Sequence, residues 1–175
     1  MGKFDQPSRC SSETPVKFRW YGYPTAIIGN DIPAALDKFI SVITASPRIA
    51  NSYVVINAQR EFLHYMTLAR QGKLIPVDDV KPVDIENPPP LYEIRWKGIT
   101  VQEMAQTGQI KSKTLMVRLY HSEPVKVPNY FIGHHIHEKV IGTDEYTRTD
   151  QNAEIRVARG FYDAGFSTSW GLPVA

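Results

Sequence analysis

The residues best suited to chemistry lie in the second half of the chain. Residues 134–139 read HHIHEK and hold three of the five histidines. Histidine normally changes charge near neutral pH, so a histidine pair beside cationic residues can donate and accept protons in phosphodiester chemistry. The cluster therefore predicts either an acid–base site or buried, hydrogen-bonded histidines without a catalytic role.

Two arginines on predicted strands could supply positive charge to such a site. Strand alternation puts Arg95 on the same side as Glu93, and Arg118 on the same side as Tyr120. The arginines either form an anion site or meet carboxylates on an exposed face of the sheet, where ion pairs are weak. Both interpretations stay open at this point.

A metal site is a third interpretation of the histidine cluster. Zinc would need further ligands, and the candidates His121, Glu138 and Asp144 match no strong spacing motif. The single cysteine, Cys10, excludes an intramolecular disulfide and a multi-cysteine zinc site. It lies in a polar stretch with no histidine near it in sequence. We therefore expect no metal, no cofactor and no role for Cys10.

Hydrophobic periodicity predicts the elements that must position these residues. The predicted strands cover residues 16–20, 91–96, 114–121 and 130–139. Two helices follow the first strand, from Asp31 to near Pro47 and then up to Gly72, and a last helix is capped by Thr149 or Asp150. Residues 73–90 hold five of the thirteen prolines, which indicates a connector rather than a strand.

These elements predict a single α+β domain. It contains an N-terminal strand, a helical hairpin, a three-stranded antiparallel meander and a C-terminal helix. We expect residues 1–15 to be a flexible extension, 16–165 the domain and 166–175 a C-terminal tail. On the last strand, alternation predicts that His135, His137 and Lys139 share a face with Phe131.

Composition excludes several classes of protein. The hydrophobic share of 42% and charged share of 22% are those of a globular chain, and no apolar run is long enough to span a bilayer. The net charge of +2 permits a nucleic-acid partner without requiring one. Phosphate-loop, dinucleotide-binding, zinc-protease and serine-hydrolase motifs are not found in the sequence. We expect a cytoplasmic protein.

Four short motifs follow one another in an order that resembles the RelE/ParE superfamily of bacterial toxins, including its phage-derived HigB-like branch. The motifs are LYEIR at 91–95, VRLY at 117–120, FIGHHIHEK at 131–139 and AEIRVA at 153–158. The two preceding helices agree, so the resemblance spans about residues 16 to 164. It implies a RelE-like fold.

The resemblance implies a toxin of a toxin–antitoxin system, a ribosome-dependent endoribonuclease that cleaves mRNA and inhibits translation. Its partners would be a cognate antitoxin, mRNA and the ribosome, with no membrane. In this interpretation Glu93 lies where related toxins place a base or a lysine, and Arg95 and Arg118 stabilise the phosphate. His135 or His137 is the acid, and Lys139 adds positive charge. Further RNA contacts are expected from Lys111, Lys113, Tyr120 and Tyr146.

Two other functions stay open. The first is a non-catalytic domain of the same fold that binds a protein, as the gyrase-poisoning members of that superfamily do. The second is a metal-assisted hydrolase that uses the histidine cluster. The three hypotheses differ in whether RNA is cleaved and in whether the protein holds a metal ion.

Overall fold

The chain folds around one five-stranded mixed sheet. The computed structural model describes residues 6–83 and 90–174, and the strand order is β1-β5-β4-β3-β2. The strands are β1 (Lys17–Trp20), β2 (Val80–Val83), β3 (Leu91–Met104), β4 (Ile110–Ser122) and β5 (Tyr130–Glu138). Strand β1 is parallel to β5, and the other neighbours are antiparallel. The predicted α+β class is confirmed.

Helices α1 (Asp31–Ile43) and α2 (Ser52–Arg70) pack on one face of the sheet. Both carry apolar side chains at helical spacing, which gives each a stripe to bury. Phe39 of α1 and Phe62 of α2 meet Trp96 of β3, with ring centroids 5.2 and 5.6 Å from the indole. This aromatic contact is part of the largest apolar core, and we call this side of the sheet the core face.

Helix α3 (Asp144–Phe166) packs on the opposite face, which we call the α3 face. Ile155 and Ala158 pack against Tyr120 and Leu91, and Tyr162 packs with Ile132. The first buried residue of the helix is Ile155, so its first three turns lie largely in solvent. The helix begins at Asp144, with the Thr143 side chain as its N-cap, and not after Thr149 or Asp150 as the sequence predicted. Of the helices in the described residues, none is long and apolar enough to cross a membrane.

A bulge between β4 and β5 decides which histidines face α3. Tyr120 pairs with His135, but His121 pairs with Gly133, so the alternation of β5 is interrupted at His134. Phe131 consequently belongs to the core face, while His135 contacts α3. The prediction that His135 and His137 share a face with Phe131 was wrong, because simple alternation contains no bulge.

Residues 8–11 of the predicted flexible extension are buried or half-buried, whereas residues 6–7 and 12–15 are exposed. Cys10 is fully buried, and Arg9 donates to the backbone oxygens of Pro124 and Tyr130 at 3.1 and 2.7 Å. Residues 1–5 lie outside the described residues. The predicted tail also folds back, because Trp170 is buried and its Nε1 donates to Tyr162 O at 3.1 Å.

Two connections differ from the prediction. The proline-rich segment contains strand β2, which pairs with β3 at the sheet edge, while residues 84–89 lie outside the described part. Strands β3 and β4 also extend past the predicted limits, and their pairing runs on to Met104 and Ile110. Residues 98–112 are thus mostly a long hairpin, in which a bulge near Trp96 and Ile99 keeps the apolar residues on the core face.

Two glycines of α3 allow a test of the packing of Trp170. A Cβ on Gly165 would come within 2.1 Å of Trp170 Cδ1, whereas a Cβ on Gly160 would meet nothing within 4 Å. We expect Gly165→Ala to lower the free energy of unfolding by about 1–3 kcal/mol through overpacking. Gly160→Ala is the control and should raise it by up to about 1 kcal/mol, since alanine favours a helix. Urea denaturation measures both, and equal effects would contradict the packing.

Candidate functional site

The β-sheet register brings the predicted site residues onto the α3 face in two adjoining rows. Glu93, Tyr120 and His135 form one row of cross-strand partners. Arg95, Arg118 and His137 form the next. Residues directly opposite each other on neighbouring strands point to the same side of a sheet. We call this group, together with Lys81 and Lys139, the basic cluster.

The carboxylate of Glu93 lies at the centre of the basic cluster. Its Oε1 is 3.7 Å from Lys81 Nζ, 3.4 Å from Arg95 Nε and 3.6 Å from Arg118 Nε. Glu93 is 3% exposed and Arg118 is 1% exposed. Lysine and arginine therefore outnumber this carboxylate, and the cluster has positive charge that Glu93 alone does not compensate.

Burial and neighbouring positive charge lower the pKa values of two cations in the cluster, Arg118 and Lys139. Burial lowers the pKa of Arg118, and Arg95 lowers it further, while Glu93 has the opposite effect. Lys139 follows the end of β5, where burial and then the charge of Arg118 lower its pKa. An added anion would favour the charged form of both side chains, because an opposite charge nearby stabilises it.

Two arginine donors of the cluster lack hydrogen bonds. Within the described residues, Arg95 Nε and Arg118 Nε are buried and have no hydrogen-bond partner. Arg118 Nη1 donates to Val117 O at 3.1 Å, and Nη2 contacts the sulfur of Met116 at 3.9 Å. Leaving a buried donor unsatisfied costs about 1–3 kcal/mol or more for a charged group. Both Nε–H groups face Glu93 Oε1, at 3.4 and 3.6 Å, as ion pairs without hydrogen-bond geometry.

The two histidines of the cluster have different hydrogen-bond partners. His137 Nδ1 donates to Glu138 O at 3.0 Å, and its Nε2 is buried with no hydrogen-bond partner within the described part of the chain. Burial lowers the pKa of His137, and the neighbouring charges of His135 and Arg118 act in the same direction, against Glu154. His137 is therefore neutral at pH 7, with an unshared electron pair on Nε2.

His135 is paired with a carboxylate from α3. Its Nε2 contacts Glu154 Oε2, and this hydrogen bond holds the pKa of Glu154 below its ordinary value. Glu154 is therefore ionised and accepts a hydrogen bond from His135 Nε2–H. The rings of His135 and His137 lie parallel, with centroids 5.8 Å apart. A ring paired with a carboxylate thus lies beside a ring with an unshared electron pair.

Four predicted RNA-binding residues do not join this arrangement as expected. Tyr120 is in the cluster but fully buried against Ile155, so its ring is not free to stack on a base. Lys113 lies 3.4 Å from Glu103 and, like Lys111 by alternation, belongs to the core face. Tyr146 is 57% exposed on the first turns of α3.

Sequence reasoning missed Lys81 and Glu154 as members of the site. Lys81 lies in the segment that its prolines indicated to be a connector, and it reaches Glu93 because β2 pairs with β3. Glu154 was part of a sequence motif, but its helical position does not reveal which strand it meets. Only the packing of α3 against β5 places it beside His135.

His134 generates a prediction about acid stability. Burial lowers the pKa of His134 to about 3, while Ser122 Oγ lies 2.8 Å from its Nε2. The unfolded chain takes up this proton near pH 6.5 and the folded chain only near pH 3, so stability falls as the pH falls between these values. The loss is up to about 1.4 kcal/mol per pH unit for this group.

We expect His134→Gln to reduce the slope of the unfolding free energy against pH between pH 6 and 4. His64 is exposed on α2, so His64→Gln is the matched control and should keep the wild-type slope. Urea denaturation at a series of pH values measures both. A slope in His134→Gln equal to that of the wild type would contradict the buried neutral state.

Comparisons with models of known families, with curated proteins and with solved structures found no match to this chain.

Proposed function

We propose that the chain is a toxin of the RelE type, an endoribonuclease that cleaves mRNA at the basic cluster. The observation that carries this proposal is the pair of stacked histidines, with His135 paired to Glu154 and His137 neutral, next to a group of four lysine and arginine side chains. Cleavage by the ribose 2′-OH needs a base, a proton donor and positive charge at the phosphate. The α3 face holds candidate side chains for all three requirements.

The chemistry assigns a separate role to each histidine. His137 Nε2 accepts the proton of the 2′-OH, and the oxygen attacks the adjacent phosphorus. The bond to the 5′-oxygen breaks, and this oxygen takes a proton from the imidazolium form of His135, which becomes neutral, leaving a 2′,3′-cyclic phosphate and a 5′-hydroxyl. Arg95, Arg118 and Lys139 stabilise the charge that develops on the phosphate oxygens.

This assignment changes the role expected for Glu93. The resemblance implied a base or a lysine at this position, but the carboxylate is surrounded by three cations and is almost fully buried. A carboxylate in these surroundings holds the arginines in place. We therefore assign the base to His137 and give Glu93 a positioning role.

The proposed partners follow from the resemblance, and the element order supports it. A strand, two helices, three strands that are neighbours in the sheet and a final helix succeed one another, with β2 added at the sheet edge. We propose the ribosomal A site as the place of cleavage and a cognate antitoxin as the inhibitor. A cytoplasmic location is part of the same proposal.

The decisive experiment compares His137→Gln with His64→Gln. The purified chain is incubated with translating ribosomes and a defined mRNA, and the new RNA ends are mapped. The wild type and His64→Gln should leave 2′,3′-cyclic phosphate ends. His137→Gln should slow cleavage by about 10²–10⁴-fold, the usual contribution of a general base. Arg118→Ala should relieve translation arrest in cells.

A cleavage rate in His137→Gln equal to that of the wild type would exclude the assignment of the base. Intact mRNA with the wild-type protein would exclude the enzyme altogether. Circular dichroism and urea denaturation of each variant identify any loss that results from unfolding alone, and Lys139→Gln, which changes a partly exposed cation, gives a second variant of the site.

A second candidate function is a non-catalytic protein-binding domain of the same fold. One observation favours it: His137 is only 6% exposed, on the face of the sheet against which α3 packs. Substrate could reach its buried Nε2 only if the residues that cover this atom moved. Growth arrest with intact mRNA, unchanged in His137→Gln, would support this candidate over the nuclease.

A further inference from the structure

Three side chains with metal-binding atoms meet where the N-terminal segment crosses the end of β4. They are Cys10 of the 3₁₀ turn Arg9–Ser11, His121 of β4 and Glu123 just beyond it. Their ligand atoms all lie within 4.8 Å of one another. Cys10 and His121 are fully buried, and the Glu123 side chain is nearly so. This group is separate from the basic cluster.

The spacing of these atoms fits a tetrahedral transition-metal site. A zinc ion bound at about 2.3 Å to sulfur and about 2.0–2.1 Å to nitrogen and oxygen sets the ligand atoms about 3.6 Å apart for S and N and about 3.3 Å apart for N and O. The corresponding distances are 3.8 Å from Cys10 Sγ to His121 Nε2 and 3.1 Å from that nitrogen to Glu123 Oε1. One ion can therefore contact all three with little movement of the chain.

A cysteine–histidine–carboxylate catalytic triad does not fit the same atoms. In a triad one ring nitrogen faces the nucleophile and the other faces the carboxylate. Here both Cys10 and Glu123 face Nε2 of His121, and Nδ1 has no hydrogen-bond partner among the residues described. A metal site requires three ligand atoms that converge on one point. A proton relay has no such requirement.

Glu123 also connects this group to solvent. It lines a pocket of about 450 Å³, together with Tyr92, Pro124 and Phe166. Cys10 and His121 do not line this pocket, so an ion from solvent would first meet the Glu123 carboxylate. The carboxylate is oriented by Ser8 Oγ at 2.5 Å and Arg9 N at 2.8 Å, the kind of supporting hydrogen bonds that metal ligands have.

We propose that the chain binds one zinc-type divalent ion through Cys10 Sγ, His121 Nε2 and the Glu123 carboxylate. Binding releases the thiol proton to solvent and leaves a thiolate bound to the metal. The ion joins the N-terminal segment to the end of β4. Because His121 Nδ1 lacks a supporting partner in the described structure, we expect a chelator to remove the ion readily.

Cobalt(II) is the probe, because a thiolate bound to cobalt gives a near-ultraviolet charge-transfer band and tetrahedral cobalt gives strong visible bands. The full-length chain is freed of metal with a chelator, titrated with cobalt and then with zinc. We expect both sets of bands to saturate at one cobalt per chain and to disappear on addition of zinc. Cys10→Ser should lose the charge-transfer band, and Glu123→Gln should weaken binding.

His135→Gln is the matched control, because it removes a histidine from the rival cluster on the α3 face and should leave the cobalt bands unchanged. Absence of the thiolate band in the wild type would overturn the proposal, whatever the variants do. So would a band that persists in Cys10→Ser. Bands lost only in His135→Gln would assign the metal to the basic cluster instead. None of these results depends on nuclease activity.

Discussion

The Glu93 carboxylate compensates positive charge that three strands bring to the α3 face. Lys81 of β2, Arg95 of β3 and Arg118 of β4 all lie within 3.7 Å of the same oxygen. Removing one partner of a buried ion pair costs about 3–5 kcal/mol, because the charge that remains has lost its water. The edge strand β2 and the central strands β3 and β4 therefore all depend on the same carboxylate to compensate their positive charge.

That constraint also explains why the cluster is suited to an anion. A hydrophobic replacement of a buried ion pair is often no less stable, so stability alone does not explain why charged residues occupy these positions. The arginine Nε–H groups lack hydrogen bonds, and lysine and arginine outnumber the central carboxylate. The proposed phosphate ligand would add negative charge beside these donors. Helix α3 contributes a second carboxylate to the cluster, Glu154, which pairs with His135.

The sequence predicted those parts of the fold that depend on local pattern. The apolar periodicity was sufficient to predict α1 and α2, and alternation was sufficient to predict the strands around Arg95 and Arg118. Both patterns mark a row of apolar side chains that must be buried against a core. Strand β2 was missed because Pro82 argued against a strand. An edge strand tolerates a proline, since one side of it has no neighbour to receive a hydrogen bond.

The site itself was predictable only in part. Glu93, Arg95 and Arg118 share a face by simple alternation, and the structure brings them together. The face on which His135 lies depends on a β-bulge, and the residue types do not predict that bulge. Cys10 contacts His121, which is 111 positions away in the sequence. Contacts of this range arise from how the elements pack, so a polar stretch such as residues 8–12 gives no local signal of burial.

The adjacent residues Tyr120 and His121 explain how one strand can serve two separate sites. Tyr120 faces α3 beside His135, whereas His121 packs against Tyr92 and Phe131 in the core face. A metal ion held by His121 would therefore lie on the other side of the sheet from the phosphate envisaged at Arg118. Such an ion cannot be the Lewis acid of the cleavage step, since a metal must contact the oxygen that it polarises. Its effect on the basic cluster would be mechanical, through the position of β4.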